Sequence, residues 1–458
     1  MRIQGGTESA GRSYLLEEAR RVPVYGEFEV VVLGGGPAGI AAATAAARCG
    51  CSVVLVERYG FLGGMGTAAG VTTFAGLHAN VYGEHRQVVH GVVDDLLDRM
   101  ERLGGLNAPH LSLGGRIMAQ AYDTAAYKIA ADDLVLSSGA KLLFHTLGVG
   151  VVMASEREIA ALLVETKSGR FALRGQVFVD CSGDADLAAW AGVPYEKGDG
   201  QGNLLYPTTM FRLNGVNPER AGPAWELLPR IMEEAERAGR RFPRRAPILR
   251  PQRNPLEWRA NVTQIRLPDG RAVDGTDVEQ LTYGEVEGRR QVWEIFTFLR
   301  EHLPGFENAY IVDLPPQIGI RETRRILGEY QLTEEDVLSC ASFEDTIGVN
   351  GWPVEEHVQG DVVLRWPPIP DSRGFHHLPY RVLVPQKVEN LLVAGRCASM
   401  THGGQSSARV SGPCFVMGQA AGTAAALALQ LRTPVRRLPV ARLQERLERD
   451  GAYLGRDL

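Results

Sequence analysis

The chain has 458 residues, enough for two or three domains or for one large domain interrupted by another, which excludes a stapled miniprotein. Its 49 Lys+Arg against 54 Asp+Glu leave a formal charge of −5, and 22% charged with 45% hydrophobic residues is the make-up of an ordinary folded chain. No basic field recommends a nucleic-acid partner.

Glycine, at 53 residues, is well above the usual share of roughly 7% and follows no collagen-like period, so tight turns and close backbone approaches are frequent. The six cysteines, Cys49, Cys51, Cys181, Cys340, Cys397 and Cys414, contain no C-x-x-C pair, which argues against a disulfide framework or a zinc site and fits a reducing compartment. Met1 to Arg21 lacks the apolar core of a secretory signal, so a cytoplasmic protein is expected. Two long uncharged stretches, Val30 to Ala47 and Val410 to Leu431, need weighing as membrane spans. Gly34-Gly35-Gly36-Pro37 breaks the first, and Ser411, Pro413, Gln419 and Thr423 interrupt the second, so both are expected inside the fold, with no membrane partner.

In chain order, a β-branched run from Val30 to Leu33 predicts a strand, followed by a glycine turn and an alanine-rich helix. A second strand, Ser52 to Val56, ends at Glu57 and completes a βαβ unit. Lys141 to Phe144 and Val177 to Val179 read as further strands, the latter entering Asp180-Cys181-Ser182-Gly183-Asp184. From 204 to 384 the chain becomes richer in Pro, Arg and aromatics and contains hairpin-like Pro268-Asp269-Gly270, as expected of an inserted α+β substrate or cap domain. Asn390 to Ala394 returns as a buried strand, and a helix is expected from about Pro413 to Leu429. The expected organisation is therefore an N-terminal extension 1–24, a discontinuous nucleotide-binding domain 25–203 plus 385–458, and the insertion 204–384. The expected fold class is α/β, a Rossmann-like three-layer domain on a parallel central sheet. Ligands of such architectures bind at the seam.

Gly34-Gly35-Gly36-Pro37-Ala38-Gly39 fits G-x-G-x-x-G, directly after a strand and opening a helix. Gly34 permits the turn, Gly36 lets a pyrophosphate approach the backbone, Gly39 lets helix pack on strand, and the free N–H groups of the helix start meet negative charge. Glu57, at the end of the next strand, is placed to accept from a ribose diol, with Arg58 beside it. Phe61-Leu62-Gly63-Gly64-Met65-Gly66-Thr67 offers a second nest of backbone amides, for which Gly63, Gly64, Met65 and Thr67 are the candidates. Gly148, Ser182, Gly183 and Asp184 are further contacts expected near strand ends. Much later, Val388-Glu389-Asn390-Leu391-Leu392-Val393-Ala394-Gly395-Arg396 delivers another strand end, so Gly395 and Arg396 join the set. A long ligand touched by such distant segments is FAD rather than NAD.

The segments VVLGGGPAGIAAA, VERYGFLGGMGT, FVDCSGDADLAAWAGVPY, IGIRETRRILGEYQLTEEDV and NLLVAGRCASMTHGGQSSARVSGPCFVMGQAAGTAAALAL resemble the FAD-dependent oxidoreductase family of the glutathione-reductase-like superfold, in the branch related to fumarate reductase and succinate dehydrogenase flavoproteins. The resemblance runs from about Glu29 to Leu429 and implies noncovalent FAD. Flavoprotein hydroxylases end their second flavin motif in Gly-Asp, whereas Gly395-Arg396 stands here, which argues against a hydroxylase. A second G-x-G-x-x-G for NAD(P)H is missing, since Gly148-Val149-Gly150 lacks the third glycine.

A flavin that takes a hydride needs a base for the substrate and positive potential for its ring. The helix start at Pro413 and Cys414 is expected to supply the latter through its N–H groups. The segment from Thr401 to Arg409 is similar to the His-Gly-Ala-Asn-Arg stretch of fumarate reductases, with two extra residues. The resemblance makes Arg409 a candidate anion clamp and His402 a candidate base. Arg321, in Arg321-Glu322-Thr323-Arg324-Arg325 at the start of an expected helix, is a second arginine for an acidic or hydroxylated substrate, and His357 is a further catalytic candidate. No metal-ligand spacing is found. Seven arginines between Arg237 and Arg253 suit a solvated loop or a lid over an anionic substrate, and also keep open an RNA-modifying flavoprotein or RNA-binding module. An electron-transfer or RNA-modifying flavoprotein subunit serving a partner is the alternative function. The expected reaction is hydride transfer between FAD and a small anionic or polyhydroxylated organic molecule. The sequence does not fix the oligomeric state; a homo-oligomer is one arrangement it admits.

Overall fold

The computed structural model describes residues 19–457 and two short backbone pairs, Thr7–Glu8 and Arg12–Ser13. Most of the expected N-terminal extension, 1–24, lies outside the described residues. Strand β1 (Val24–Leu33) leads through the glycine turn into helix α1 (Pro37–Arg48), and β2 (Val53–Val56) pairs parallel to β1. The short helix α2 (Met65–Ala68) follows the second glycine cluster. Strand β3 (Lys141–Leu143) adds parallel to β2, and β4 (Leu147–Ser155), β5 (Glu158–Thr166) and β6 (Gly169–Asp180) form an antiparallel meander. The last strand of that meander runs through the centre of the sheet, parallel to β1 along its whole length.

The alternation of β1 sorts the core. Val30 and Val32 face one side with α1, whereas Val31 and Leu33 face the other with Leu162, Phe178 and Leu187. The second face is covered by the meander and the short helix Asp186–Trp190 rather than by long helices.

Just before the insertion, β7 (Tyr195–Lys197) pairs antiparallel with a strand at 324–326, described below. A four-stranded sheet is built from β8 (Phe211–Asn214), β9 (Ile248–Pro251), β10 (Trp258–Asn261) and β11 (Tyr310–Asp313), in the order β9-β10-β8-β11. It is backed by helix α3 (Val278–His302), whose Val292, Phe296 and Leu299 form a core with Trp258 and Phe306 separate from that of the large sheet.

The run 321–325 is not a helix: Arg321 to Thr323 are irregular, and Arg324–Ile326 is strand β12, the partner of β7. A ladder to Tyr195–Lys197 overrides the helix-compatible composition of the run. Strands β13 (Val354–Val358) and β14 (Asp361–Arg365) form a hairpin.

Strand β15 (Leu391–Val393) brings the far end of the chain to the centre by pairing parallel with the end of β6. Two helices follow where one was expected. They are α4 (His402–Ala408), capped by the Thr401 hydroxyl accepting from the Gly404 N–H at 3.2 Å, and α5 (Ser411–Leu431), which begins two residues before Pro413. Helix α5 is long and apolar enough to cross a membrane, but most of it is buried in the core against α1. The contact is backbone to backbone: a Cβ on Gly418 would fall 2.1 Å from the Ala38 carbonyl oxygen, and one on Gly422 2.1 Å from that of Ala42.

Candidate functional site

The glycine turn joins β1 to α1 with no room for a side chain at Gly34 or Gly39. Gly34 has φ +100°, and a Cβ on Gly39 would sit 1.8 Å from the Gly34 carbonyl oxygen. Gly36 caps α1, and no side chain satisfies the first-turn N–H groups. The second cluster lies directly against the first, with the Gly63 N–H donating to the Gly35 carbonyl at 2.8 Å and a Cβ on Gly64 falling 2.8 Å from Gly36 Cα. An uncapped helix start cradled between two glycine backbones fits a pyrophosphate.

Glu57, 7% exposed, accepts from the Gly35 N–H at 2.7 Å and the Tyr59 N–H at 2.9 Å. These bonds use two of its roughly four acceptor positions and leave the others for a diol. Burial raises its pKa, against the two backbone donors and Arg58. Next to it a cleft of about 400 Å³ opens between Arg58, Tyr59, Asp184, Gln317, Ile320 and Glu285 of α3. Arg58 Nη2 donates to Gln317 Oε1 at 2.7 Å.

Several other sequence candidates are occupied by the protein itself. The Thr67 hydroxyl donates to the Leu62 carbonyl at 2.7 Å, and the Met65 sulfur accepts from the Gln317 amide at 3.4 Å. Gly148 opens the meander, packed against Leu33 and Trp190. The Ser182 hydroxyl donates to buried Asp180 at 2.6 Å. Arg396, next to Gly395, donates to the carbonyls of Gly183 (2.9 Å) and Ile320 (2.6 Å) and pairs with Asp184 at 2.7 Å. It thereby ties the end of β15 to β6 and to the insertion. At the start of α5 the expected supply of free N–H groups is reduced, because the Gly412 N–H is given to the Ala75 carbonyl at 2.8 Å and Pro413 has none. Burial pushes the Cys414 thiol up to about 12, beyond what Arg396 and Arg409 offset, and the thiol donates to the Arg409 carbonyl at 3.4 Å.

The four catalytic candidates come together in two linked groups. His402 Nδ1 lies 3.0 and 2.9 Å from the two oxygens of Glu322, and its Nε2 is 4.0 Å from Glu356. Glu322 is itself fixed by the Leu205 N–H at 3.0 Å and by an ion pair with Arg325, both partners being almost wholly buried. Burial pulls the His402 pKa down, but the bond and charge of Glu322, with Glu356, outweigh it and the pKa is raised.

The second group surrounds Glu355 on β13. Its carboxylate accepts from Trp352 Nε1 at 2.9 Å, faces His357 Nε2 at 3.1 Å and lies 3.9 Å from Arg409. Arg321, 7% exposed, donates to the Tyr206 carbonyl at 2.6 Å, and the Tyr206 N–H in turn donates to the His357 carbonyl at 3.0 Å. Burial lowers the pKa of Arg321, with Arg409 and Arg244 adding to the effect. Burial, reinforced by Arg321, likewise holds the His357 pKa well below the ordinary value, against Glu355. The Gln405 amide donates to the Arg321 carbonyl at 2.8 Å and locks the two groups together. Sequence reading did not single out Glu322, Glu355 or Arg244. Only Glu322 carries a local signal, its place beside Arg321. Among the described residues no cluster of three or more His, Cys, Asp or Glu could hold a metal.

A parallel βαβ unit with a glycine cradle, completed by a strand from the far end of the chain, defines a Rossmann-like nucleotide-binding flavoprotein. The family model described as FAD dependent oxidoreductase matches residues 29–447, and the chain belongs to that family. It is an FAD-dependent oxidoreductase. Solved structures similar to it include a geranylgeranyl bacteriochlorophyll reductase-like protein from Thermoplasma acidophilum (11% identity, 92% of this chain, 82% of that chain, TM-score 0.44). An anhydrotetracycline hydroxylase from Streptomyces rimosus (14%, 92% and 65%, TM-score 0.44) and the flavin-dependent brominase Bmp2 (13%, 92% and 84%, TM-score 0.46) are also similar. No curated protein sequence matches the chain.

Proposed function

We propose that the protein catalyses hydride transfer between noncovalent FAD and a small anionic organic substrate held by Arg321 and Arg409. The observation that carries this reading is the pairing of Arg409 with Glu355 at 3.9 Å, with buried Arg321 close enough for the charges of both to act on it, beside an imidazole whose Nδ1 is fixed by Glu322. Bound FAD supplies two-electron hydride chemistry. The turn Gly34–Gly39 and the uncapped start of α1 receive the pyrophosphate, Glu57 the ribose, and the cleft beside Arg58 the adenosine end.

Arg321 and Arg409 orient the substrate's acidic group, since a planar fork binds carboxylate or phosphate through paired N–H donors. His402 moves the proton. With Nδ1–H donated to Glu322, the neutral ring presents Nε2 as the base, and the raised pKa strengthens it. His357, buried 3.1 Å from Glu355, positions that carboxylate. The similarity of Thr401–Arg409 to the fumarate reductase segment supports the same two roles.

The test is an anaerobic screen of the purified holoprotein against organic acids, reading loss of the visible flavin absorption. A bleaching substrate whose reductive rate falls by about 10²-fold or more in His402→Ala supports the reading. An unchanged rate in that variant removes His402 as the base.

A further inference from the structure

Gln317 belongs to the insertion, 259 residues beyond Arg58, yet its side chain is held by the nucleotide-binding part of the molecule. Its Oε1 accepts from Arg58 Nη2 at 2.7 Å and from the Tyr59 hydroxyl, so the two residues that follow Glu57 are fixed by one atom. Its Nε2 donates to the Met65 sulfur at 3.4 Å, at the start of α2, and its backbone N–H to the Ala68 carbonyl at 3.1 Å, at the end of the same helix. A single residue thus ties the insertion both to the neighbours of the ribose acceptor and to the second glycine cluster.

Both sides of this contact are braced. Pro315 and Pro316 precede Gln317 and lock their own φ, the Ile318 N–H donates to Glu285 of α3 at 2.7 Å, and the Gly319 N–H donates to the Thr208 carbonyl at 2.7 Å. Opposite, the Tyr59 ring stacks on Phe61 with 5.3 Å between centroids and 5° between planes, and Lys128 Nζ lies 3.8 Å from the Phe61 centroid. The Arg58 guanidinium sits 5.0 Å from the Tyr59 centroid.

The cleft of about 400 Å³ opens at this contact, with Arg58 and Tyr59 on one side and Gln317, Leu281 and Val286 on the other. A guanidinium plane and a phenol ring are surfaces on which a purine stacks, provided they are held still. We infer that Gln317 is a specificity-determining residue for the cofactor: it fixes Arg58 and Tyr59 against the insertion so that the cleft closes on an adenosine, and the protein thereby selects FAD over flavins that end at the ribityl phosphate. This rests on the reading that places the adenosine end of FAD in the cleft beside Arg58, and it gives the insertion a part in holding the cofactor as well as the substrate.

The experiment is calorimetric titration of the full-length protein, stripped of flavin, with FAD, FMN and ADP. In Gln317→Leu the affinities for FAD and ADP are expected to fall at least about tenfold while that for FMN stays. Gln317→Glu, which keeps an acceptor for Arg58 and Tyr59, retains most of the FAD affinity, and Arg290→Ala, exposed on α3 outside the cleft, changes nothing. Unchanged FAD affinity in Gln317→Leu overturns the inference, and so does an equal loss for FMN, the result that general damage to the fold would give. If wild type does not bind FMN, equal losses for FAD and ADP uphold the inference and a loss that ADP does not share overturns it. Should Gln317→Leu not fold, amide exchange of wild type decides: ADP slows exchange at Gln317 and Ile318, and no slowing overturns the inference. ADP binding that Glu57→Ala leaves unchanged removes the adenosine placement itself, and with it the reading on which the inference stands.

Discussion

Gly418→Ala sets two effects of opposite sign against each other on one helix. In an exposed helix interior the change gains about 1 kcal/mol of helix propensity. Here the new methyl would lie 2.1 Å from the Ala38 carbonyl oxygen of α1, against about 3.3 Å for a close carbon–oxygen contact, so the helices must separate by roughly 1 Å. Overpacking costs about 1–3 kcal/mol, and main chain, which cannot swing aside, puts this case at the upper end, for a net loss of about 2 kcal/mol. Gly422→Ala meets the Ala42 carbonyl at the same distance, so the double variant is expected to lose less than the sum, because one separation relieves both clashes. Gly284→Ala in α3 is the contrast: its methyl meets Ile318 Cδ1 at 2.9 Å, the tip of a side chain that can turn away, and the variant should be neutral or more stable. Thermal unfolding of the holoprotein, followed by flavin fluorescence beside circular dichroism, reads both helix stability and cofactor release. Since the glycine turn opens directly into α1, FAD release should move to lower temperature with unfolding. A Gly418→Ala protein melting at or above wild type would show that the helices are not packed backbone to backbone.

Glu322→Gln leaves Arg325 buried without its counter-charge and should cost about 3–5 kcal/mol, measured by denaturant unfolding; a loss under about 1 kcal/mol contradicts the assignment. The raised pKa of His402 makes its contribution to stability complete below its unfolded value of about 6.5 and lost as pH rises through the higher folded value. The melting temperature of wild type should therefore show a decline on that interval that His402→Gln lacks. Arg396→Met removes bonds to Gly183, Ile320 and Asp184 and should weaken FAD binding by at least about tenfold in equilibrium dialysis. Cys414, its thiol pushed up to about 12 by burial, should resist iodoacetamide at pH 8 in the folded protein, and rapid alkylation there would contradict the packing around it.

The nucleotide half of this fold is written locally. A β-branched run, a glycine turn and an alanine helix each state their own conformation within about thirty residues, and Glu57 follows at the strand end where a βαβ unit must put it. The region holding Arg244 and Arg321 is not. Arg321 to Arg325 have a composition suited to a helix, and only the distant strand Tyr195–Lys197 and the pocket for Glu322 make them extended. Helix α4 is short and holds two adjacent glycines, so propensity alone favours a loop, and the Thr401 cap decides otherwise. Arg244 has the same immediate surroundings in sequence as Arg240, Arg241 and Arg245; its burial comes from Asn261 and the Gly360 turn, both brought by long-range folding.

The contact between α1 and α5 also fixes an order of events during synthesis. Some 380 residues separate Ala38 from Gly418, so the phosphate loop emerges from the ribosome long before the helix that clamps its own helix, and β15 arrives only slightly earlier. At about 5–20 residues per second the nascent chain spends tens of seconds with the apolar flank of the first helix uncovered. Truncated products ending in the insertion lack both β15 and α5 and should therefore be colourless.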